Sequence, residues 1–523
     1  MVWALAVLSA AGCRRASLPG KPAPSGEHAA SRGELQGIIE LLASDLLEGR
    51  APGTRGGRLA EAYVQSLFKV WGLAPGAGGS YLQPFALRGY TTTGLEVDAG
   101  DTALAMRDDV MGTFAVDRAE VELRADAVFV GFGIATPIWS WDDFKDVDVR
   151  GKVIIARVND PGLFIDGIFE GKTLTYFGRW TYHIEEAIRR GAAAILLIHT
   201  DRTAGYTWGV VQRSWGGESL LLKSETPSAL AFRGWVREAS LRRALDARGL
   251  SLDQLYAASL SRSFRPQPLG LQVSIRGRQQ VRELAASNVV AEIPGRTRRR
   301  IVLSAHIDHL GRRGQGAGDD IYNGAIDNGS AVAAMLLAGR ELARRPAPLQ
   351  HTITLLAAQA EESGLLGSKH YVQAADRASI VANINFEATP VWERAGSLMG
   401  VGGRFSTLGE DLQLVAREMG LGYTEFSLVE QGFYYRSDQF VFAQLGIPAL
   451  WISAGEDDRS GQRKYTAFWK TDYHTVRDEY RADWPLEALQ QTIEAAVRLV
   501  ERIDRAPGPP RWRGKLPFPV AAK

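Results

Sequence analysis

The 523 residues include a single cysteine, Cys13, so no disulfide can close within one chain. Long apolar runs are missing as well. Beyond the N-terminal region, no segment has the roughly 20 continuous apolar residues that a membrane-spanning helix requires. Neither charge sign dominates: 61 basic and 59 acidic residues leave a formal +2, too weak a field to recruit nucleic acid or an anionic membrane. Two reaction classes lack their motifs. Gly171-Lys-Thr173 fails as a phosphate loop because position 166, where the motif needs glycine, is Asp166. No Gly-x-Ser-x-Gly elbow occurs, which disfavours a serine hydrolase. With 45% hydrophobic and 23% charged residues, the composition is that of a globular chain with ample material for a core. Its length exceeds one typical core of roughly 150 residues.

The N-terminus reads as an export signal. The apolar run Val2 to Ala11 leads into Leu8-Ser-Ala-Ala-Gly-Cys13, which resembles a bacterial lipoprotein signal whose cysteine is lipidated after cleavage. The fit is partial. No Lys or Arg precedes the run, and Ala10 stands where such signals usually carry leucine. Arg14 to Glu27, rich in Pro, Gly and Ser, reads as a tether. The expectation is a secreted protein, or one on the periplasmic side of a bacterial envelope, with membrane contact only through a lipid on Cys13.

Periodicity divides the rest. Apolar residues from Gly33 to Leu47 and from Leu59 to Trp71 recur at helical spacing. Between about 117 and 275 the texture shifts to short Val- and Ile-rich runs, including Ala127 to Phe132, Lys152 to Val158 and Ala193 to Ile198, with one clear helix near Tyr182 to Arg190. This stretch reads as an inserted, β-rich module with its own small core, able to fold semi-independently. After Ser287, buried strands alternate with amphipathic helices: Ile301 to Ala305, Ser330 to Arg344, Thr352 to Ala358, Leu366 to Gln373, Ile380 to Phe386, Ala449 to Ser453 and Leu486 to Ile503. Such alternation predicts an α/β fold, a mostly parallel mixed sheet with helices on both faces. The expected units are therefore 1–30 signal and tether, 31–116 and 276–507 the main domain, 117–275 the insert, and 508–523 a loose Pro-rich tail.

In such sheets ligands gather at the carboxyl ends of the strands. There stand His306 and Asp308, then Glu361 and Glu362, then Glu387, while Asp327 opens a helix after a Gly-rich loop and His474 sits in Asp472-Tyr-His-Thr-Val. Imidazoles and carboxylates together suit zinc, but five protein ligands are too many for one catalytic zinc that keeps an open position. Two ions sharing a bridging carboxylate resolve the count. Such a pair, about 3.5–4 Å apart, can hold a hydroxide and polarise a carbonyl, as amide hydrolysis requires.

Five ordered segments, Ser304-Ala-His-Ile-Asp-His309, Gly324-Ala-Ile-Asp-Asn-Gly-Ser330, Ala360-Glu-Glu-Ser-Gly-Leu-Leu-Gly-Ser368, Asn383-Ile-Asn-Phe-Glu387 and Asp472-Tyr-His-Thr475, resemble the metal motifs of the co-catalytic zinc aminopeptidase and glutamate carboxypeptidase family. The insert, with Phe129-Val-Gly-Phe-Gly-Ile and Gly151-Lys-Val-Ile-Ile, looks like the protease-associated domain found in many members. The resemblance implies a metallo-exopeptidase with two Zn2+ per chain and peptide substrates, most simply an aminopeptidase. It places His306 with Glu362 on one zinc, Glu387 with His474 on the other, and Asp327 between them. Glu361 becomes the general base through a metal-bridging hydroxide, Asp308 bonds the far nitrogen of His306, and Tyr473 donates to the developing oxyanion. Glu387 departs from the aspartate common in the family. The Asp327–Asn328 peptide corresponds to a cis bond there. Alternatives on the same fold are a carboxypeptidase, a glutaminyl-cyclase-like enzyme, or a non-catalytic peptide-binding or receptor-like protein.

Of the remaining candidates, His351 and His370 read as packing or surface residues, with His309 a reserve ligand. Asp319 and Asp320 read as loop residues. Phe433-Tyr-Tyr435 lines either a substrate pocket or the core.

Overall fold

Ser31 starts the first helix, Arg32–Leu42, with a capping box: its hydroxyl accepts from the Glu34 N–H while the Glu34 carboxylate accepts from the Ser31 N–H. The computed structural model describes residues 30–223, 229–313, 318–457 and 463–521. The signal, tether and Cys13 lie outside them. The helix does not run on to Leu47 as the apolar spacing suggests. Ser44 caps a separate 3-10 turn, Asp45–Arg50, in which Glu48 and Gly49 adopt positive φ. That kink swings Arg50 into the interior, where it is 1% exposed.

The main sheet runs in the order Gly422–Thr424, Ser397–Val401, Ala449–Ala454, Ile380–Asn385, Arg300–His306, Thr352–Ala358 and Gln267–Ile293. The central strands are parallel; Ser397–Val401 pairs antiparallel with Ala449–Ala454 and parallel with Gly422–Thr424, and Gln267–Ile293 pairs antiparallel with Thr352–Ala358. Almost every central position is buried, as expected for a sheet covered on both sides. Successive residues divide between the faces. Ile301, Leu303 and Ala305 pack with helices Ala331–Ala343 and Glu487–Arg505, whereas Val302, Leu356 and Trp451 pack with Tyr371, Phe440 and Phe442 on the other side. No helix among the described residues is long and apolar enough to cross a membrane.

The second unit joins the first through a shared strand and through packing of Tyr176 on Tyr435 and Phe440. The 27-residue strand Gln267–Ile293 pairs with Thr352–Ala358 at one end and with Glu120–Phe129 at the other, so one continuous sheet runs through both units. Outward from Glu120–Phe129 follow Val153–Arg157, Ala194–His199 and Phe232–Arg237, all parallel, and then Val110–Phe114. With helices Trp180–Arg189 and Glu238–Asp246, this unit is α/β at its centre. Its edge begins earlier than residue 117. Leu82–Ala99 lies along Gln267–Ile293, and Val110 and Phe114 belong to its core. The tail also departs from expectation: Phe518 is 1% exposed among Phe405, Tyr434, Tyr435 and Phe440, and the Trp512 indole donates to the Gly446 carbonyl. Two aromatic anchors hold it despite its prolines.

Candidate metal centre

Three strand ends and two loops deliver the polar cluster. His306 is the last residue of Arg300–His306. The turn after Thr352–Ala358 brings in Glu361 and Glu362, with Ala360 at φ +59. Glu387 follows Ile380–Asn385, with Ala388 at φ +35, and His474 itself sits at φ +56. Non-glycine residues seldom adopt this left-handed backbone, and it gathers where a site over-determines its geometry.

The loop carrying Asp327 is fixed from several sides. Gly324 has φ +60, and a Cβ there would meet the Asp327 carbonyl at 2.2 Å and the His309 ring at 2.6 Å, so glycine is required. The Asp478 carboxylate accepts from the N–H groups of Ile326 (2.8 Å) and Asp327 (2.9 Å). Arg50 donates to the carbonyls of Ile307 (2.9 Å), Asn323 (2.5 Å), Gly324 (3.0 Å) and Leu42. Asn328 donates to the His306 carbonyl and accepts from the Ala388 N–H, tying two ligand-bearing segments together. The Asp327–Asn328 peptide is cis.

All five expected ligands converge, in a pairing other than the one expected. His306 Nε2 lies 3.0 Å from Glu387 Oε1 and 3.3 Å from Asp327 Oδ1. His474 Nε2 lies 3.1 Å from Glu362 Oε2 and 3.2 Å from Asp327 Oδ2. The two carboxylate oxygens of Asp327 thus face two different imidazoles, and the pairs are His306 with Glu387 and Glu362 with His474. This overturns the pairing of His306 with Glu362 and Glu387 with His474. Strand order alone does not decide it, because the strand ending in His306 lies between those leading to Glu387 and to Glu362; the side-chain distances do.

These donors fit divalent cations. Asp327 Oδ2, Glu362 Oε1, Glu387 Oε2 and His474 Nε2 are buried without a hydrogen-bond partner, although Asp327 Oδ2 lies 3.2 Å from His474 Nε2 and Glu362 Oε1 lies 2.8 Å from His309 Nδ1. Their close contacts lack hydrogen-bond angles, as when lone pairs aim at a shared point. Asp327, Glu361, Glu362 and Glu387 crowd together with only imidazoles at ion-pair distance among the described residues. Burial, with repulsion from Glu387 and Glu362, pushes the Glu361 carboxyl well above its usual range. Burial alone would lower His306, yet Glu387, Glu361 and Asp327 hold it well above its ordinary value. Such a cluster needs positive charge to stay ionised. Two donor groups satisfy ligand spacing: His306, Glu361 and Glu387; and His309, Asp327 and Glu362.

Other expectations shift in detail. The far nitrogen of His306 meets the main-chain carbonyl of Asp308 at 3.2 Å, with the Asp308 carboxylate at 3.7 Å. That carboxylate instead accepts from the N–H groups of Glu361 and Glu362, fixing the turn that bears them. His309 is buried beside the site, with Nδ1 2.8 Å from Glu362 Oε1. Tyr473 stacks on His474 at 3.8 Å, and its hydroxyl accepts from Arg436. Phe433, Tyr434 and Tyr435 are core rings. Asp320 pairs with Arg312, and Asp319 caps its own loop. Arg50, Asn328, Arg436 and Asp478 escaped sequence reasoning. Isolated polar residues in loops have no periodic signature, and only the position of Asp478 four residues after His474 offered a hint.

The chain is similar to known proteins in sequence and in fold. Over 192 residues the chain is 28% identical to aminopeptidase YwaD of Bacillus subtilis (strain 168), a match spanning 35% of this chain and 39% of that relative's length. An aminopeptidase structure from Aneurinibacillus sp. strain AM-1 superposes with a TM-score of 0.54 at 19% identity, covering 94% of this chain and 97% of that one, a likeness of fold. The sequence model of Peptidase family M28 matches residues 288–500, the stretch that contributes every ligand-bearing segment. His306, Asp327, Glu362, Glu387 and His474 all lie inside the stretch that matches Peptidase family M28.

Proposed function

We propose that this protein is a zinc-dependent exopeptidase holding two zinc ions per chain, and that it acts as an aminopeptidase. The observation that carries the reading is Asp327, whose two oxygens each face a separate imidazole–carboxylate pair, the arrangement a shared ligand needs. The printed activity of the Bacillus and Aneurinibacillus relatives supports cleavage at the amino terminus.

When bound, two zinc ions supply Lewis acidity toward water and the scissile carbonyl. Glu361 stands beside the ligands, its carboxylate 3.8 Å from His306 Nε2, and is placed to accept a proton from water and return it to the leaving amine. Asp308 holds the backbone that aims it. Arg436 donates to the Tyr473 oxygen, leaving the phenolic proton free, and burial keeps that phenol protonated as a donor toward a developing oxyanion. The second unit is read as a protease-associated domain, and the N-terminus as an export signal with lipidation at Cys13.

The test pairs metal analysis with hydrolysis of free and N-blocked peptides, with and without chelator. About two zinc ions per chain and chelator-sensitive release from free amino termini are expected. Glu361→Gln should lower kcat by about 10²–10⁴-fold while metal content stays intact. Release from carboxyl termini, or cyclisation of N-terminal glutamine, would transfer the site to the alternative enzymes, and metal-free, inactive protein would return it to peptide binding.

A further inference from the structure

The second unit contains a cavity of about 200 Å³ that shares no residue with the metal centre. That volume is far above the roughly 10–15 Å³ that admits one water. It opens where the parallel strands Val153–Arg157 and Ala194–His199 end and where Glu238 follows Phe232–Arg237. The carboxyl ends of parallel strands are where open α/β sheets hold ligands.

Arg157 forms part of its wall and is 5% exposed. Its guanidinium lies 4.3–4.5 Å from the ring centres of Phe132, Phe164 and Tyr256. Nη1 donates to Ser259 Oγ (2.8 Å) and to the Tyr256 carbonyl (3.3 Å), leaving Nε and Nη2 with no acceptor among the described residues. Arg202, on the exposed rim, lies 5.1 Å from the Phe164 ring. Neither guanidinium has a carboxylate at ion-pair distance among the described residues. The one acid in the wall, Glu238, is already bonded to Arg242 (3.1 Å) and Tyr256 (3.4 Å). Burying a cation without an anion is costly, and burial draws Arg157 down to about 10.

We propose that this cavity binds a small organic carboxylate of amino-acid size, its carboxylate between Arg157 and Arg202 and its apolar body against Phe164 and Ile198. Arginine's fork matches a carboxylate in two bonds, and the hydroxyls of Thr200 and Thr203 in the same wall, bonded to each other at 2.8 Å, have one further O–H between them to donate. The apolar walls and the volume favour an organic body over a bare inorganic oxyanion. A free α-amino acid would also place its ammonium near Glu238, whereas a simple acid would leave Glu238 unused.

Titration calorimetry on the zinc-loaded full chain tests this with L-leucine, N-acetyl-L-leucine and inorganic phosphate as probes. One saturable site per chain is expected for leucine or its acetyl derivative. Arg202→Gln, on the exposed rim, should weaken it about tenfold or more while leaving peptidase kcat/KM unchanged. Arg157→Gln should abolish it if that variant folds. Loss of leucine binding in Glu238→Gln identifies an amino acid, and unchanged binding there identifies a simple acid. No binding at millimolar concentration, binding of phosphate alone, or binding indifferent to Arg202→Gln would each overturn the proposal. A fully active peptidase with no such binding would leave the metal-centre reading untouched.

Discussion

Replacing Arg50 by methionine probes how the Asp327 loop is held. Methionine retains much of the side chain's length and removes every donor. Arg50 is 1% exposed and serves four main-chain carbonyls, those of Leu42, Ile307, Asn323 and Gly324. A hydrogen bond to a charged group contributes about 1.5–3 kcal/mol net. The four do not add independently, so a loss of about 3–5 kcal/mol is expected, the range for breaking a buried charged contact. The charge matters as well. Burial draws the Arg50 guanidinium down to about 10, and Asp478, Asp308, Asp327 and Glu362 are the acids that counter this. Removing it leaves those carboxylates with less compensation. Urea unfolding of wild type and variant, each with zinc and with chelator, is the assay. The deficit should appear in both conditions, and zinc should also bind the variant more weakly because Asn323 and Gly324 lead directly into Asp327. Arg50→Lys should fall between, since a single ammonium cannot span four divergent acceptors. A variant within about 0.5 kcal/mol of wild type would refute the reasoning, because that is the range of neutral surface changes.

Gly324→Ala should cost about 1–3 kcal/mol in stability and lower bound zinc, because the added Cβ collides with the Asp327 carbonyl and the left-handed backbone disfavours alanine; thermal melts with metal analysis will show it. Glu61 is 6% exposed, and burial raises its carboxyl from 4.5 to about 7. The folded state therefore holds a proton that the unfolded state has released. Its contribution is fully present below about 4.5 and is lost as pH rises through about 7, at most about 3 kcal/mol. Glu61→Gln should flatten that slope in denaturant titrations between these pH values, and an unchanged slope would place the dependence elsewhere.

The layered α/β domain was legible because its signals are local. Strands such as Thr352–Ala358 are continuous apolar runs, and helices such as Glu487–Arg505 show a one-sided apolar face, so neither needs a distant partner to be recognised. The polar residues at the strand ends stood out against that texture, and all five expected ligands meet in space. Apolar spacing overextends the first helix because Leu46 and Leu47 continue its pattern, whereas Ser44 gives the backbone a competing cap. Composition makes the tail look loose because it is rich in proline, while Trp512 and Phe518 anchor it.

By itself, then, the sequence determined the alternation of buried strands and amphipathic helices, and the residue types gathered at the strand ends. Both follow from side-chain periodicity and from chemistry carried by single residues. Only tertiary structure decided which carboxylate faces which histidine. It also decided that Gln267–Ile293 joins the two units in one sheet, and that Arg50 and Asp478 support the loop of Asp327. Each of these depends on contacts between residues far apart in the chain, and no local pattern records them.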